Sequence, residues 1–202
     1  MNKIVLASSN QGKLREFKQI LSAKNFELIP QSTFNFVDAD ETGLSFVENA
    51  IIKARHASEL TGLPSLADDS GIEVDALQGR PGIYSARYAQ VQGPSVDQDK
   101  ENNKKLLLEL ADIPEPLRTA RFQCVIVFMR HPQDPTPLIC QGSWEGKILS
   151  EEAGVNGFGY DPLFFVPSHN CTSAELSKEI KNNLSHRGKA LRELMKCWQP
   201  LL

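Results

Sequence analysis

The sequence predicts an α/β fold on a mixed sheet, and three observations carry that prediction. Helix-like and strand-like stretches interleave along the chain, the order that lays helices against a sheet. Residues 120–130 are apolar on both faces, with Phe122, Cys124, Ile126 and Phe128 against Val125, Val127 and Met129, as in a central strand covered on both sides. A Pro-rich turn at 131–137 then leads into strand-like 138–144, which suggests a hairpin.

In chain order, residues 3–7 read as a buried strand, with Ile4, Val5 and Leu6 consecutive. Ser8-Ser9-Asn10-Gln11-Gly12 is a polar loop, and a helix starts near Lys13 with Leu14, Phe17, Ile20 and Leu21 on one face. A second helix starts at Ser45, where Ser45-Phe46-Val47-Glu48 has capping-box spacing, and runs to about Thr61 before Gly62 and Pro64. Its apolar side carries Phe46, Ala50, Ala54 and Ala57, while Asn49, Lys53 and His56 share another stripe. Short strands at 64–67 and 72–74 flank Asp68-Asp69-Ser70-Gly71, which has turn chemistry. Gln78-Gly79-Arg80-Pro81-Gly82 is a loop and 96–110 a helix. A glycine-rich stretch at 154–159 leads through Tyr160-Asp161-Pro162 into the apolar run 163–166. The last helix begins near Ser185 and buries Ala190, Leu191, Leu194, Met195 and Trp198.

The bulk properties narrow the field. With 202 residues the chain can bury one sizeable core, as a single domain or as two lobes sharing a sheet. A net charge of −3 supplies no field to hold a nucleic-acid backbone unless a local patch does. The four cysteines, Cys124, Cys140, Cys171 and Cys197, are far apart, which argues against a zinc knuckle or disulfide framework and for reduced thiols. No apolar run approaches membrane-spanning length, and the run after Met1-Asn2-Lys3 is too short for a signal-peptide core. A soluble cytoplasmic domain is expected.

Several constellations bear on chemistry. Burying the neighbouring carboxylates of Asp68 and Asp69 is costly unless cations neutralise them. A bound Mg²⁺, which takes oxygen ligands, would relieve the repulsion and bring a phosphate with it; an exposed turn is the plainer alternative. Ser8-Ser9-Asn10-Gln11-Gly12-Lys13 joins a strand to a helix, where backbone N–H groups and a lysine favour an anion. It lacks the leading glycine and the Ser/Thr of a Walker A loop, so an ordinary turn also fits. Asp38, Asp40 and Glu41 precede the second helix; one acid suffices to complement its dipole, so Glu41 is a candidate second arm of a metal site completed by Asp69. In Phe158-Gly159-Tyr160-Asp161 a loop aromatic suits stacking on a nucleobase, or else caps the sheet. Lys178, Lys181, His186 and Arg187 gather around the start of the last helix, with donors for an anion or a carbonyl oxygen. The chain lacks G-x-G-x-x-G, G-x-S-x-G and the second aspartate of an aspartyl-phosphate phosphatase. The inventory suits a nucleoside polyphosphate with Mg²⁺.

At this point six strings resemble the inosine triphosphate pyrophosphatase family, most closely its bacterial dITP/XTP pyrophosphatases. They are Ser8 to Lys13; Glu41-Thr42-Gly43 with Glu48-Asn49-Ala50 and Lys53-Ala54; Ala67-Asp68-Asp69-Ser70-Gly71; Pro81-Gly82-Ile83-Tyr84-Ser85-Ala86-Arg87-Tyr88; Gly157-Phe158-Gly159-Tyr160-Asp161-Pro162; and Ser185-His186-Arg187-Gly188. They stand in the family's order over nearly the whole chain, with Ser8-Ser9 where Thr-Gly or Thr-Asn is more usual. The resemblance implies one domain over 1–202, of two lobes on a long mixed sheet with flanking helices and a central cleft, and a homodimer. It implies Mg²⁺-dependent cleavage of a non-standard purine nucleoside triphosphate to the monophosphate and pyrophosphate. On these positions it makes Asp69 the proton acceptor, with Asp40, Glu41 and Asp69 at the metal. Lys13, Lys53 and Asn10 would hold phosphates, within a substrate-binding set that also takes in Ser8, Ser9, Gln11, Gly12, Asp68, Gly159 and Tyr160. Ser70, Phe158, Asp161, Lys181, His186 and Arg187 would line the nucleoside end. A pyrimidine-directed pyrophosphatase of the septum-inhibitor type and a non-catalytic nucleotide sensor are the rival readings. Ser185-His186-Arg187 speaks against the first, and Asp69 beside Lys13 and Glu41 against the second.

Overall fold

A computed structural model describes residues 2–21, 26–91 and 97–198. The chain passes through β1 (Asn2–Leu6), α1 (Gln11–Leu21), β2 (Phe26–Pro30), α2 (Phe46–Thr61), β3 (Ser65–Val74) and α3 (Gln98–Glu109). It continues through β4 (Thr119–Met129), β5 (Leu138–Ile148), β6 (Phe164–Val166), β7 (Cys171–Thr172), α4 (Lys178–Leu184) and α5 (His186–Cys197). The strands form one seven-stranded sheet in the order β2-β1-β3-β4-β5-β6-β7. β1 is parallel to β2 and β3, whereas β6 is antiparallel to β5 and β7, so the sheet is mixed.

Two compact units divide the chain. The first comprises Met1–Asp69, Cys124–Gly142 and His186–Leu202, the second Ser70–Gln123 and Ser143–Ser185. Strand side chains alternate between faces, and in the first unit both faces are apolar. Ile4, Leu6, Leu66, Ile126 and Phe128 pack with Leu14 and Phe17 of α1 and Leu191 and Leu194 of α5. Val5, Ala7, Ala67, Val127 and Met129 pack instead with Ala50, Ala54 and Ala57 of α2, whose small side chains let that helix lie close. Each large side chain fully buried here stabilises the fold by about 1.5–3 kcal/mol.

The ends of α2 follow the sequence reading. Ser45 Oγ accepts from the Glu48 N–H, the Glu48 carboxylate returns to Ser45 Oγ at 2.7 Å, and Gly62 closes the helix at φ +66°. The second unit has its own core, in which Phe164 lies 4.6 Å from Phe122 and 5.2 Å from Trp144 between ring centroids.

One expectation is corrected. The strands read at 64–67 and 72–74 are one unbroken β3, so Asp68 and Asp69 sit in extended backbone and not in a turn. Turn propensity loses because each acid meets neutralising partners where it stands, and Gly71 is needed for close approach: a Cβ there would lie 2.4 Å from Gly82 O. The last helix begins at His186, as expected, and a shorter helix precedes it, the two separated at Ser185 in extended conformation (φ −65°, ψ 155°). Ser177 caps the first of them, so Lys178 and Lys181 ride on α4 while His186 and Arg187 open α5. α3 begins at Gln98 behind an Asp97 cap, and Val96, the expected start, lies outside the described residues.

Candidate active site

The pleat of β3 decides what each acid meets. Asp68 follows Leu66 onto the face packed by α1 and α5, and Asp69 follows Ala67 onto the face packed by α2. Asp68 is fully buried, with Lys13 Nζ at 3.0 Å and Arg187 Nε at 3.3 Å from Oδ2. Arg187 also pairs through Nη1 with Glu16 of α1, and the Cys124 thiol lies 4.0 Å from Asp68 Oδ2. On the other face Lys53 Nζ bridges Asp69 Oδ1 at 2.8 Å and Glu41 Oε1 at 2.9 Å. Asn49, one turn before Lys53 on α2, donates to Asp69 Oδ2 at 3.4 Å, so their stripe does face the acid. His56, the third member of that stripe, bonds to Val37 O instead.

These surroundings push the two carboxyls in opposite directions. Burial acts to raise Asp68, but Lys13, Arg187 and Lys53 outweigh it and hold the group well below the usual carboxylate range. For Asp69 burial wins over Lys53 and Lys13, and Glu41 adds to the rise. Burial likewise acts to lower Lys53, yet Asp69, Asp68 and Glu41 raise it above the ordinary lysine value. The two neighbouring carboxyls are thus driven apart, Asp68 held as an anion and Asp69 made easier to protonate.

The N-terminal loop is tied to its own helix. Asn10 Oδ1 accepts from the Lys13 N–H at 3.1 Å, and Ser8 Oγ accepts from the Asn10 N–H at 3.3 Å. Ser9 donates to Asp38 at 2.8 Å, while Gln11 and Gly12 form the first residues of α1. Of the acids before α2, Glu41 reaches the Lys53–Asp69 group and exposed Asp40 does not. Among the described residues no three acidic, histidine or cysteine side chains converge as a metal cage. The donor chemistry still fits a magnesium ion: Glu41 and Asp69 already share one cation, and Mg²⁺ needs only one or two carboxylates when phosphates and waters fill its shell.

The second unit builds a different constellation. Phe158 is half-buried on a loop whose Gly157 and Gly159 have φ +84° and +61°. The Phe158 N–H donates to Asp161 Oδ2 at 2.8 Å, Ser173 Oγ donates to Asp161 Oδ1 at 2.6 Å, and Lys181 pairs with Oδ2. Lys181 Nζ also stands 5.4 Å from the Phe158 ring centroid, in cation–π range. A Cβ on Gly157 would come 2.0 Å from Asp161 Oδ2, so only glycine fits. Ser70 opens this unit on β3. Tyr160 is buried, 4% exposed, and its hydroxyl donates to Ser85 O at 2.8 Å. His186 is buried on the first turn of α5, which sits so close to β5 that a Cβ on Gly142 would lie 2.1 Å from His186 O. Glu16 and Ser173 escape the sequence reading. Glu16 carries only one faint signal, its place one turn after Lys13 on α1, because its arginine partner is 171 positions away.

Two neighbouring carboxylates on one strand with lysines around them suit a hydrolase acting on a polyphosphate. The Ham1 family model matches residues 4–197. The chain is 60% identical over 194 residues to the dITP/XTP pyrophosphatase of Vibrio parahaemolyticus, covering 96% of this chain and 95% of that one. It is 58% identical over 197 residues to the enzyme of that name from Vibrio cholerae, covering 98% and 96%. The solved HAM1 protein of Coxiella burnetii superposes with a TM-score of 0.88 at 51% identity, covering 98% of each chain. This chain therefore belongs to the Ham1 family, as the six strings suggested.

Proposed function

We propose that the protein hydrolyses non-standard purine nucleoside triphosphates (ITP, dITP and XTP) to the monophosphate and pyrophosphate in a Mg²⁺-dependent reaction. The observation that carries this is the pair of neighbouring carboxylates on β3, Asp68 held by Lys13 and Asp69 held by Lys53, which supports reading Asp69 as the proton acceptor. The relatives' names supply the substrate class. Asp69 takes the proton from the water that attacks the α-phosphorus, the P–O bond to the β-phosphoryl oxygen breaks, and pyrophosphate departs. A general base of this kind is worth roughly 10²–10⁴ in rate. Lys13 and Lys53, with Asn10, bind the phosphates and offset the charge that grows on their oxygens. Bound at Glu41 and Asp69, a magnesium ion would supply Lewis acidity toward those same oxygens.

Base selection rests on the 6-keto oxygen, which accepts from His186 and Arg187, whereas the 6-amino group of adenine would leave those donors unpaired. Phe158 stacks on the base, and Asp161 with Lys181 orients it. The working form is a homodimer. Removing such triphosphates keeps them out of DNA and RNA, a cytoplasmic housekeeping role. The test is a pyrophosphate-release panel of ITP, dITP, XTP, GTP, ATP and UTP, with Mg²⁺ and with a chelator. Preference for ITP, dITP and XTP, abolished by the chelator, is expected; preference for UTP, or no turnover at all, would overturn the reading.

A further inference from the structure

The Phe158 loop is held by two sets of side chains. Asp161, with Ser173 and Lys181, holds the Phe158 N–H. The second set comes from α3: Asp99 Oδ2 accepts from the Gly159 N–H at 2.7 Å, and Asn103 Nδ2 donates to Gly159 O at 3.2 Å and to Glu152 Oε1 at 2.8 Å. Asp99 and Asn103 are four residues apart and so share one helix face. That face thus grips both polar groups of Gly159, a residue at φ +61° that directly follows the aromatic ring. The Asn103 amide is oriented without ambiguity, since only its nitrogen can donate to two acceptors. Asn102, between the two, donates to Ser85 O and Ala86 O and accepts from the Ala89 N–H, anchoring the same turn of α3 to the 82–87 segment.

We infer that Asp99 and Asn103 are positioning residues for nucleobase selection, setting the pose of the Phe158 ring by fixing the peptide unit after it. This rests on the reading of Phe158 as the stacking platform. Asp99 is exposed, so removing its carboxylate spares the core.

The test uses the whole enzyme with ITP, ATP and methyl triphosphate, which has no nucleoside. Asp99→Ala should raise KM for ITP about fivefold, the effect of ~1 kcal/mol. It should leave kcat within about twofold, narrow the ITP-to-ATP ratio of kcat/KM, and leave methyl triphosphate turnover unchanged. Asp99→Asn, which keeps an acceptor for the Gly159 N–H, should recover most of the loss. Asn103→Asp, which sets a carboxylate against Gly159 O and Glu152, should reproduce it. A variant that discriminates as well as the wild type overturns the inference alone. So does a fall for methyl triphosphate in step with ITP. A wild-type enzyme that fails to separate ITP from ATP overturns the functional reading and the inference with it.

Discussion

The two units hold their polar residues by different means. In the first, side-chain charges meet directly: Asp68 with Lys13 and Arg187, Asp69 with Lys53, all on helices and a strand. In the second, Asp161 also pairs with Lys181, but charge there serves the backbone as well. Asp161 and Asp99 accept from the N–H groups of Phe158 and Gly159, between glycines in left-handed conformation. Rigid elements fix charge where a reaction needs preorganised electrostatics. A loop shaped by hydrogen bonds fixes form, which suits discrimination. Damage around Asp69 should therefore strike turnover, and damage to the Phe158 loop should strike KM and selectivity.

The largest expected effect is that of Asp69→Asn, which keeps the shape but cannot accept the proton. It should lower kcat by roughly 10²–10⁴-fold while nucleotide still binds in calorimetry. Retention of more than about a tenth of wild-type kcat, only ~1.4 kcal/mol, would break the assignment of the base. Next comes Arg187→Ala, which takes one of its cations from buried Asp68 and a partner from Glu16, and should lower stability, read from denaturant midpoints. It should also shrink the ITP-to-ATP ratio of kcat/KM by roughly tenfold through loss of one charge-assisted bond. If both substrates fell by one factor, Arg187 would serve Asp68 alone and base selection would belong wholly to the second unit.

Lys53→Ala should reduce kcat/KM for ITP by roughly ten- to a hundredfold, the loss of a bond worth ~1.5–3 kcal/mol. Unchanged kinetics there would reduce Lys53 to a counter-ion of Glu41 and Asp69. The smallest effect, Phe158→Ala, should raise KM for ITP roughly tenfold with kcat little altered, as the loss of one base–aromatic stack predicts. A fall in kcat of the same size would erase the contrast between the units.

Much of this was legible in the chain because local pattern and tertiary environment agree. Residues such as Ile126 and Val127 announce a strand buried on both faces, and Ser45 with Glu48 announces the start of α2. The site was legible as an inventory more than as an arrangement. Asp-Ser-Gly reads as a turn because turn chemistry is local, whereas the cations that keep β3 extended come from α1, α2 and α5. Glu16, Asp99 and Asn103 look like ordinary solvated helix residues until distant partners are brought to them. Among the acids before α2, spacing alone did not separate Asp40 from Glu41; the reach of Lys53 does.

The alternation of β3 has a consequence for how such an enzyme can change. Asp68 and Asp69 are covalent neighbours, yet each answers to a different layer of helices. Substitutions drifting through α2 can retune Asp69 while the partners of Asp68 on α1 and α5 stay as they are, and the reverse holds equally. The two acids are inherited together but adjustable apart. The arrangement tolerates one kind of error badly: inserting or deleting a single residue between positions 65 and 68 would turn each carboxylate to the opposite face, away from its own partners.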